Sequence, residues 1–492
     1  MLEVMKQEAN LTYTENRAVT LESTGSHCLD LFATAGALRT AADEEIIVRF
    51  LRAYTEQPDL AMKLLFYTRD IRGGLGERRV FRVILAWLAE HEPAAVMKNI
   101  SYIAEYGRFD DLLMLLDTGC GKTAEAYLRE QFFRDLEQLE KGEQVSLLGK
   151  WLPSVNASNP QTKRCAKKLC RAFGMTDADY RKALVKLRAK IRIIENNLRE
   201  KDYSFSYEKQ PSRALYKYRK AFMRNDEERY NDFLVKVQSG KKQLNASNIA
   251  PYELVEPYLS GWDRRGRLES MTEEEKSVLN TTWASLPDYG SDENMLAVID
   301  TSGSMYGGKP LPAAVALSMG IYLAEHNRGR FHDHFIEFSR RPQLIELKGD
   351  NFAERLRYIA SFAEIANTNL EAVFDLILRT AVKHRLPQSE LPAKLVIISD
   401  MEFDRCVYNA SKTNFLSAKE KYEACGYQLP QIVFWNVQSR NCQQPVRRNE
   451  QGVALVSGVT PRIFYMVAGK IKDPYQLMME ILGSERYACI AA

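Results

Sequence analysis

The sequence predicts an α-helical solenoid over residues 1–285 followed by an α/β domain over residues 286–492, and three observations carry that expectation. From about residue 27 to 285 the apolar residues recur at helical spacing, in segments such as EEIIVRFLRAYTEQ, LAMKLLFYTRD and ERRVFRVILAWLAEH. Beyond it, short apolar runs (MLAVID, AKLVIISD, QIVFWNV, VALVSG) alternate with amphipathic ones such as NLEAVFDLILRTAVKH. The rhythm changes at the turn-rich stretch Pro287-Asp288-Tyr289-Gly290-Ser291.

Each half follows from its own pattern. In the first, short connections carry punctuation such as Gln57-Pro58-Asp59, Arg72-Gly73-Gly74-Leu75-Gly76 and Glu92-Pro93, which suits antiparallel helix pairs stacked on one another. Irregular HEAT-like pairs are the expected architecture, and a constant sense of turn from pair to pair predicts a curved or ring-shaped arrangement. In the second, strongly apolar strands alternating with helices predict an open, mostly parallel sheet covered on both faces. Ligands of such sheets bind beyond the carboxyl ends of the strands.

Composition excludes several classes. Of 492 residues, 45% are hydrophobic and 27% charged, which is globular rather than disordered or collagenous. No apolar run reaches the roughly 18 residues that cross a bilayer, and Ser318 and Gly320 interrupt the longest, Ala313 to Ala324. The N-terminus carries Glu3, Lys6 and Glu8 where a secretory signal needs apolar residues, so a cytoplasmic location is expected. The eight cysteines (28, 120, 165, 170, 406, 425, 442 and 489) form no C-x-x-C and read as free thiols. His332 and His334 alternate on an expected strand and read as ordinary polar positions rather than metal ligands.

Two of the apolar strands end in aspartate, Asp300 and Asp400. Immediately after the first, Asp300-Thr301-Ser302-Gly303-Ser304 supplies one carboxylate and two hydroxyls from a single loop. Hard oxygen donors of this kind suit Mg²⁺ or Mn²⁺, and the lack of a nearby thiol or imidazole argues against zinc or copper. A third hydroxyl, Thr368, opens another amphipathic helix, so three loops carrying oxygen donors are expected at one edge of the sheet.

These residues resemble the von Willebrand factor A domain with its metal-ion-dependent adhesion site (MIDAS), over about residues 290 to 492. The resemblance implies that Ser302 and Ser304 ligate the metal directly, that Thr368 does so directly or through water, and that Asp300 and Asp400 act mainly through water. It further implies an electrophilic ion that takes a partner's Asp or Glu. Many family members have Gly-Gly before the threonine; here the pair is Ala366-Asn367.

A helical-repeat region joined to such a domain resembles the Ro ribonucleoprotein (TROVE) family, whose HEAT-like repeats form a ring. The stretches YTRDIRGGLGERRVFR, KWLPSVNAS, YRKALVKLR and RALYKYRKAF are also similar to a domain-of-unknown-function family found in bacteria, phages, fungi, plants and large viruses. The Ro resemblance implies RNA as a partner.

Charge distribution points the same way. Residues 161–250 hold 23 Lys and Arg against 10 Asp and Glu, and the rest of the chain is net acidic. Arg164, Lys168 and Arg171 fall on one face of a helix, with Lys163 and Lys167 beside them, and make that face cationic. Arg213, Lys217, Arg219, Lys220 and Arg224 interleave with Tyr216, Tyr218 and Phe222, so phosphate-binding charges would neighbour rings on which unpaired bases stack. The same pattern also arises when the rings are core and the cations a solvated face. A further basic cluster, Arg69, Arg72, Arg78 and Arg79 around a glycine-rich turn, could hold phosphate or simply cap two helices, and capping is the reading expected.

Two motifs mislead. Gly119-Cys120-Gly121-Lys122-Thr123 ends like a phosphate-binding loop, but Leu116 stands where its first glycine belongs. An aspartate-nucleophile phosphatase would need a second carboxylate where Ser302 stands. Three classes of function remain: a non-enzymatic RNA-binding scaffold for small or misfolded RNA, a metal-dependent protein adaptor without RNA binding, and a metal-dependent nuclease. The last needs a carboxylate-rich centre and a general base, neither of which the motif supplies.

Overall fold

A computed structural model of the chain describes residues 1–191, 194–260, 267–290, 292–338, 341–362, 368–405 and 412–492. It comprises two compact units, one of Met1–Gln57, Pro211–Arg219 and Asn231–Ser484, the other of Pro58–Gln210, Lys220–Tyr230 and Glu485–Ala492. Ser291, Ala366, Asn367 and Cys406, named above, lie outside the described residues.

The first unit is built on a six-stranded sheet. After a short antiparallel hairpin, β1 (Leu11–Tyr13) and β2 (Val19–Leu21), come β3 (Met295–Asp300), β4 (His334–Phe338), β5 (Gln343–Glu346), β6 (Lys394–Ser399), β7 (Gln431–Asn436) and β8 (Val453–Ser457). The order is β5-β4-β3-β6-β7-β8, with β5 antiparallel and the other pairings parallel. β3 and β6 are buried along their whole length, as near-continuous apolar runs require in a sheet covered on both faces. Helices Pro312–His326, Leu370–His384 and Asn414–Ala424 connect them.

The packing departs from chain order at both ends. Residues expected to open a helical domain instead join the sheet: Gly36 donates its N–H to Ser457 Oγ at 2.9 Å, and Ser457 Oγ donates to Phe32 O at 3.2 Å. A Cβ on Gly36 would stand 2.6 Å from Gly458 Cα, so only glycine permits this approach. The β1–β2 hairpin extends the contact, with Leu21 and Gln444 exchanging backbone hydrogen bonds of 3.0 and 2.8 Å. His332 and His334 do not alternate on a strand, because β4 begins at His334; His332 lies in the preceding turn, its Nδ1 2.9 Å from Asn327 O.

The second unit is helical, with Pro58–Arg69, Arg79–His91, Ile100–Tyr106, Gly121–Glu140, Pro160–Phe173 and Asp177–Ile191 among its elements. Phe132, Phe173 and Tyr180 make one aromatic cluster in its core, with ring centroids 4.9 to 6.1 Å apart. Tyr207, Phe222 and Tyr230 make another at 5.1 to 5.3 Å. The stretch that ends like a phosphate-binding loop is the start of helix Gly121–Glu140, not a loop around a ligand. No helix among the described residues is long and apolar enough to cross a membrane.

Candidate metal centre and nucleic-acid interface

β3 and β6 are neighbouring parallel strands, so the loops at their carboxyl ends open on one edge of the sheet. Asp300, at the end of β3, is fully buried, and its Oδ2 accepts a 2.5 Å hydrogen bond from Ser399 Oγ on β6. Its Oδ1 accepts from the Ser302 N–H at 2.9 Å, which turns the chain so that Ser302 Oγ lies 3.1 Å from Ser304 Oγ. Burial raises the Asp300 carboxyl well above the ordinary carboxylate range, and the charge of nearby Asp400 raises it further.

The Thr368 loop is stitched to the segment after Asp400. Thr368 Oγ1 donates to Glu402 O at 3.1 Å, and Thr368 O accepts from Asp404 N at 2.9 Å. Asp400, buried, accepts from Glu402 N at 3.2 Å through Oδ1 and from Arg440 Nη2 at 2.9 Å through Oδ2. Asp300, Ser302 and Ser304 thus form one hydrogen-bonded group and Thr368, Glu402 and Asp400 another, and the two adjoin at Ser399, which bonds Asp300 and precedes Asp400 in the chain.

Four residues that sequence reasoning missed complete this edge. Arg440 bridges Asp400 to Glu15, whose carboxylate lies 2.8 Å from Nη1. Asn16 Nδ2 donates to Glu402 O at 2.7 Å and to Thr368 Oγ1 at 3.3 Å. Glu402 is a strut: its carboxylate accepts from Glu15 N at 2.7 Å, Asn441 Nδ2 at 2.9 Å and Gln443 Nε2 at 2.8 Å. Burial raises its carboxyl above the ordinary range, and these donors offset only part of that rise. Only the D-x-E spacing of Asp400 and Glu402 was visible in the sequence; Glu15, Asn16 and Arg440 carry no local signal.

The donor set fits a hard divalent cation. Two adjacent hydroxyls follow the buried Asp300 carboxylate, the buried Asp400 carboxylate accepts from Arg440, and Thr368 Oγ1 keeps a lone pair after its two hydrogen bonds. Among the described residues no group of three or more His, Cys, Asp or Glu side chains is arranged to hold a metal ion. The set at this edge is of another kind, since hydroxyls supply its first donors.

Helix Pro160–Phe173 begins where Asn159 Oδ1 accepts from the N–H groups of Gln161 and Thr162, and ends at Gly174 in the left-handed region (φ 69°). Ala166, Leu169, Cys170 and Phe173 face inward, leaving Lys163, Arg164, Lys167 and Arg171 exposed. Lys168 is not part of that free face: its ammonium bonds Leu116 O and lies 3.0 Å from Asp117 and 3.7 Å from Glu125.

Helix Ser212–Asn225 is more mixed. Arg213 is ion-paired with Glu253, Tyr216 is buried with the Arg219 guanidinium 4.1 Å from its ring centre, and Phe222 is core. Tyr216 therefore offers no free face to a base. Lys217, Lys220 and Arg224 are exposed, and Tyr218 is half-buried with Lys217 Nζ 4.9 Å from its ring centre.

Comparison with known proteins places these features in context. A protein of Acanthamoeba polyphaga mimivirus, "Uncharacterized protein L728", is 28% identical over 512 residues, covering 96% of this chain and 87% of the viral one. The crystal structure of the Deinococcus radiodurans RO (RSR) protein is similar with a TM-score of 0.49 and 14% identity, covering 94% of this chain and 99% of that one. Residues 14–131 and 173–292 match a domain of unknown function (DUF2828), and residues 294–479 match another (DUF7788). The exposed cationic helix falls between the two matched blocks of the first domain, and Asp300, Ser302, Ser304, Thr368 and Asp400 all fall within the second.

Proposed function

We propose that the chain is a non-enzymatic RNA-binding protein, scaffolding small or misfolded RNA, whose α/β unit carries a divalent-cation adhesion site for an acidic partner residue. The observation that carries the RNA reading is the face of helix Pro160–Phe173, where Lys163, Arg164, Lys167 and Arg171 are all exposed. Four cations on a rigid helix present a row of phosphate contacts with no compensating carboxylate on the same helix. Lys217, Lys220 and Arg224, with Tyr218 as the remaining ring, extend the candidate set. Titrating labelled single-stranded RNA at about 50–100 mM salt tests it, since electrostatic contacts are favoured there. Absence of binding removes this reading.

At the sheet edge, Ser302, Ser304 and Thr368 would hold Mg²⁺ or Mn²⁺, with Asp300 and Asp400 acting behind them. A cation so held supplies an electrophilic position for an incoming carboxylate. The residues of the chain do the rest: Ser399 and the Ser302 N–H fix the Asp300 carboxylate, and Arg440 and the Glu402 N–H fix Asp400.

This site also supports a second reading, a metal-dependent protein adaptor without RNA binding, because its residues belong to the α/β unit and the cationic helix to the other. Retention of an acidic partner with Mg²⁺ but not with EDTA, by a protein that binds no RNA, would select the adaptor.

A further inference from the structure

The helical unit contains a cluster of arginines that neither of these readings uses. Arg69 closes helix Pro58–Arg69, Arg78 and Arg82 lie at the start of helix Arg79–His91, and Arg108 precedes the short turn holding Asp110 and Asp111. Asp111 accepts from Arg69 Nε at 2.8 Å and from Arg82 Nε at 2.6 Å. Asp110 pairs with Arg78 and, at 3.0 Å, with Arg82 Nη2. Four guanidiniums thus face two carboxylates. Nearby Asp70 does not redress the balance, because Arg486 and Tyr487 engage it.

Among the described residues no carboxylate lies within ion-pair distance of the Arg108 guanidinium, and Asp110 and Asp111 act on it only from farther away. Its guanidinium lies 4.6 Å from the centre of the Trp151 ring, with Lys150 Nζ 5.5 Å from the same ring. Burial and then repulsion from Arg69 depress its pKa, as expected for a cation crowded by its own kind. A second, independent sign is the arginine at the bottom of the cluster. Arg69 is 1% exposed, yet its Nη2 has no hydrogen-bond partner. Asp110 Oδ1 is likewise buried without a hydrogen-bond partner.

We propose that this cluster is a binding site for a phosphate monoester dianion, held by Arg69, Arg78, Arg82 and Arg108. Two surplus positive charges match a dianion, and guanidinium forks match the geometry of phosphate oxygens. Arg78, Arg82 and Arg108 are partly exposed, so the anion enters from solvent while Arg69 meets it from below. The same monoester group occurs on small phosphorylated molecules and at the 5′ end of a nucleic acid.

The test is calorimetric titration of the full chain, in EDTA and at constant ionic strength, with inorganic phosphate, phenyl phosphate and dimethyl phosphate. Saturable one-to-one binding of the first two, at least tenfold tighter than the diester, is expected. Arg108→Gln should weaken it at least tenfold. Arg78→Gln, at a more exposed position, should also weaken it and keeps the test valid if the first variant fails to fold. A 5′-phosphorylated tetranucleotide that binds more tightly than phosphate, and loses that gain when 5′-hydroxylated, assigns the site to nucleic-acid ends; equal affinities assign it to small molecules. No saturable phosphate binding, equal affinity for the diester, or wild-type affinity in both variants overturns the proposal. Binding of 5′-hydroxyl RNA should be unchanged in Arg108→Gln, so failure here is separable from failure of the RNA reading.

Discussion

The Arg440 guanidinium donates to Asp400 Oδ2 at 2.9 Å and with its other terminal nitrogen reaches Glu15. Among the described residues it is the cation that pairs with Asp400, so a divalent ion held by Asp400 would compete with it for that carboxylate. Replacing Arg440 by Gln should destabilise the metal-free protein by about 1–3 kcal/mol, because it leaves a buried carboxylate less well paired. The same change should tighten cation binding, since one competitor for Asp400 is gone. Thermal unfolding in EDTA and in Mg²⁺ reads both effects: the midpoint should fall in EDTA and the gain on adding Mg²⁺ should grow. An unchanged gain would show that Arg440 does not oppose the cation.

Asp300→Asn should have the opposite profile. The amide keeps the size of the side chain; its oxygen still accepts from the Ser302 N–H, its NH2 donates to Ser399 Oγ in place of the bond now donated by that hydroxyl, and the repulsion between Asp300 and Asp400 disappears. The metal-free variant should therefore unfold no earlier than wild type. Wild type should gain roughly 2.7 kcal/mol at a cation concentration a hundredfold above Kd, and the variant should gain nothing. A variant that still responds to Mg²⁺ would exclude Asp300 from the cation site.

How much of this was legible in the sequence follows from where each contact originates. Asp300 and Asp400 could be read because buried parallel strands are apolar throughout, and a carboxylate ending such a run stands out. Glu15, Asn16 and Arg440 could not, since they reach the same edge from segments without period, the first two hundreds of residues from the loops they touch and Arg440 forty residues beyond Asp400. Helical spacing placed Arg164, Lys168 and Arg171 on one face with Lys163 and Lys167 beside them, but it cannot show that Lys168 meets the Leu116 carbonyl of a neighbouring element. Interleaved rings and cations looked alike whether they faced solvent or core. Packing decides, and it turns Leu215, Tyr216 and Phe222 inward. The division expected at residue 285 followed the change of rhythm, whereas long-range bonds such as Gly36 to Ser457 set the compact units.

The carboxyl-terminal residues supply a pH-dependent clamp within the helical unit. Asp70 accepts from Arg486 Nη2 at 2.7 Å and from Tyr487 Oη at 3.0 Å. Burial pushes the Asp70 carboxyl up, but the Arg486 bond and the N–H groups of Arg72 and Gly73 outweigh it and hold it below its ordinary range. A depressed folded-state pKa contributes stability above the unfolded value of about 3.9, and that contribution is lost as pH falls through the folded value. Asp70→Asn should therefore cost about 2–4 kcal/mol at neutral pH. Urea unfolding from pH 3 to 7 should show the difference from wild type steady above about pH 5 and shrinking below about pH 4. A difference that does not vary with pH would mean that Asp70 acts through packing alone.

The cationic helix makes the last expectation the most divisible. If phosphates bind Lys163, Arg164, Lys167 and Arg171, each contact releases counterions, and the logarithm of affinity falls with that of salt by about 0.7 per contact for single strands. Replacing the four by Gln should weaken all RNAs alike and flatten that slope, with little effect on stability, since the side chains are exposed. Lys168→Gln should do the reverse, lowering the unfolding midpoint through loss of the bond to Leu116 O while leaving the slope nearly intact. Tyr218→Ala should remove about 1–3 kcal/mol of stacking without changing the slope. Tyr216→Ala should instead register in stability, because that ring is buried beneath Arg219. Salt-dependent RNA titrations and thermal unfolding on the same variants separate the four outcomes. If Lys168→Gln flattens the slope as much as an exposed lysine does, its ammonium contacts phosphate, and the division between free and engaged cations on this helix is wrong.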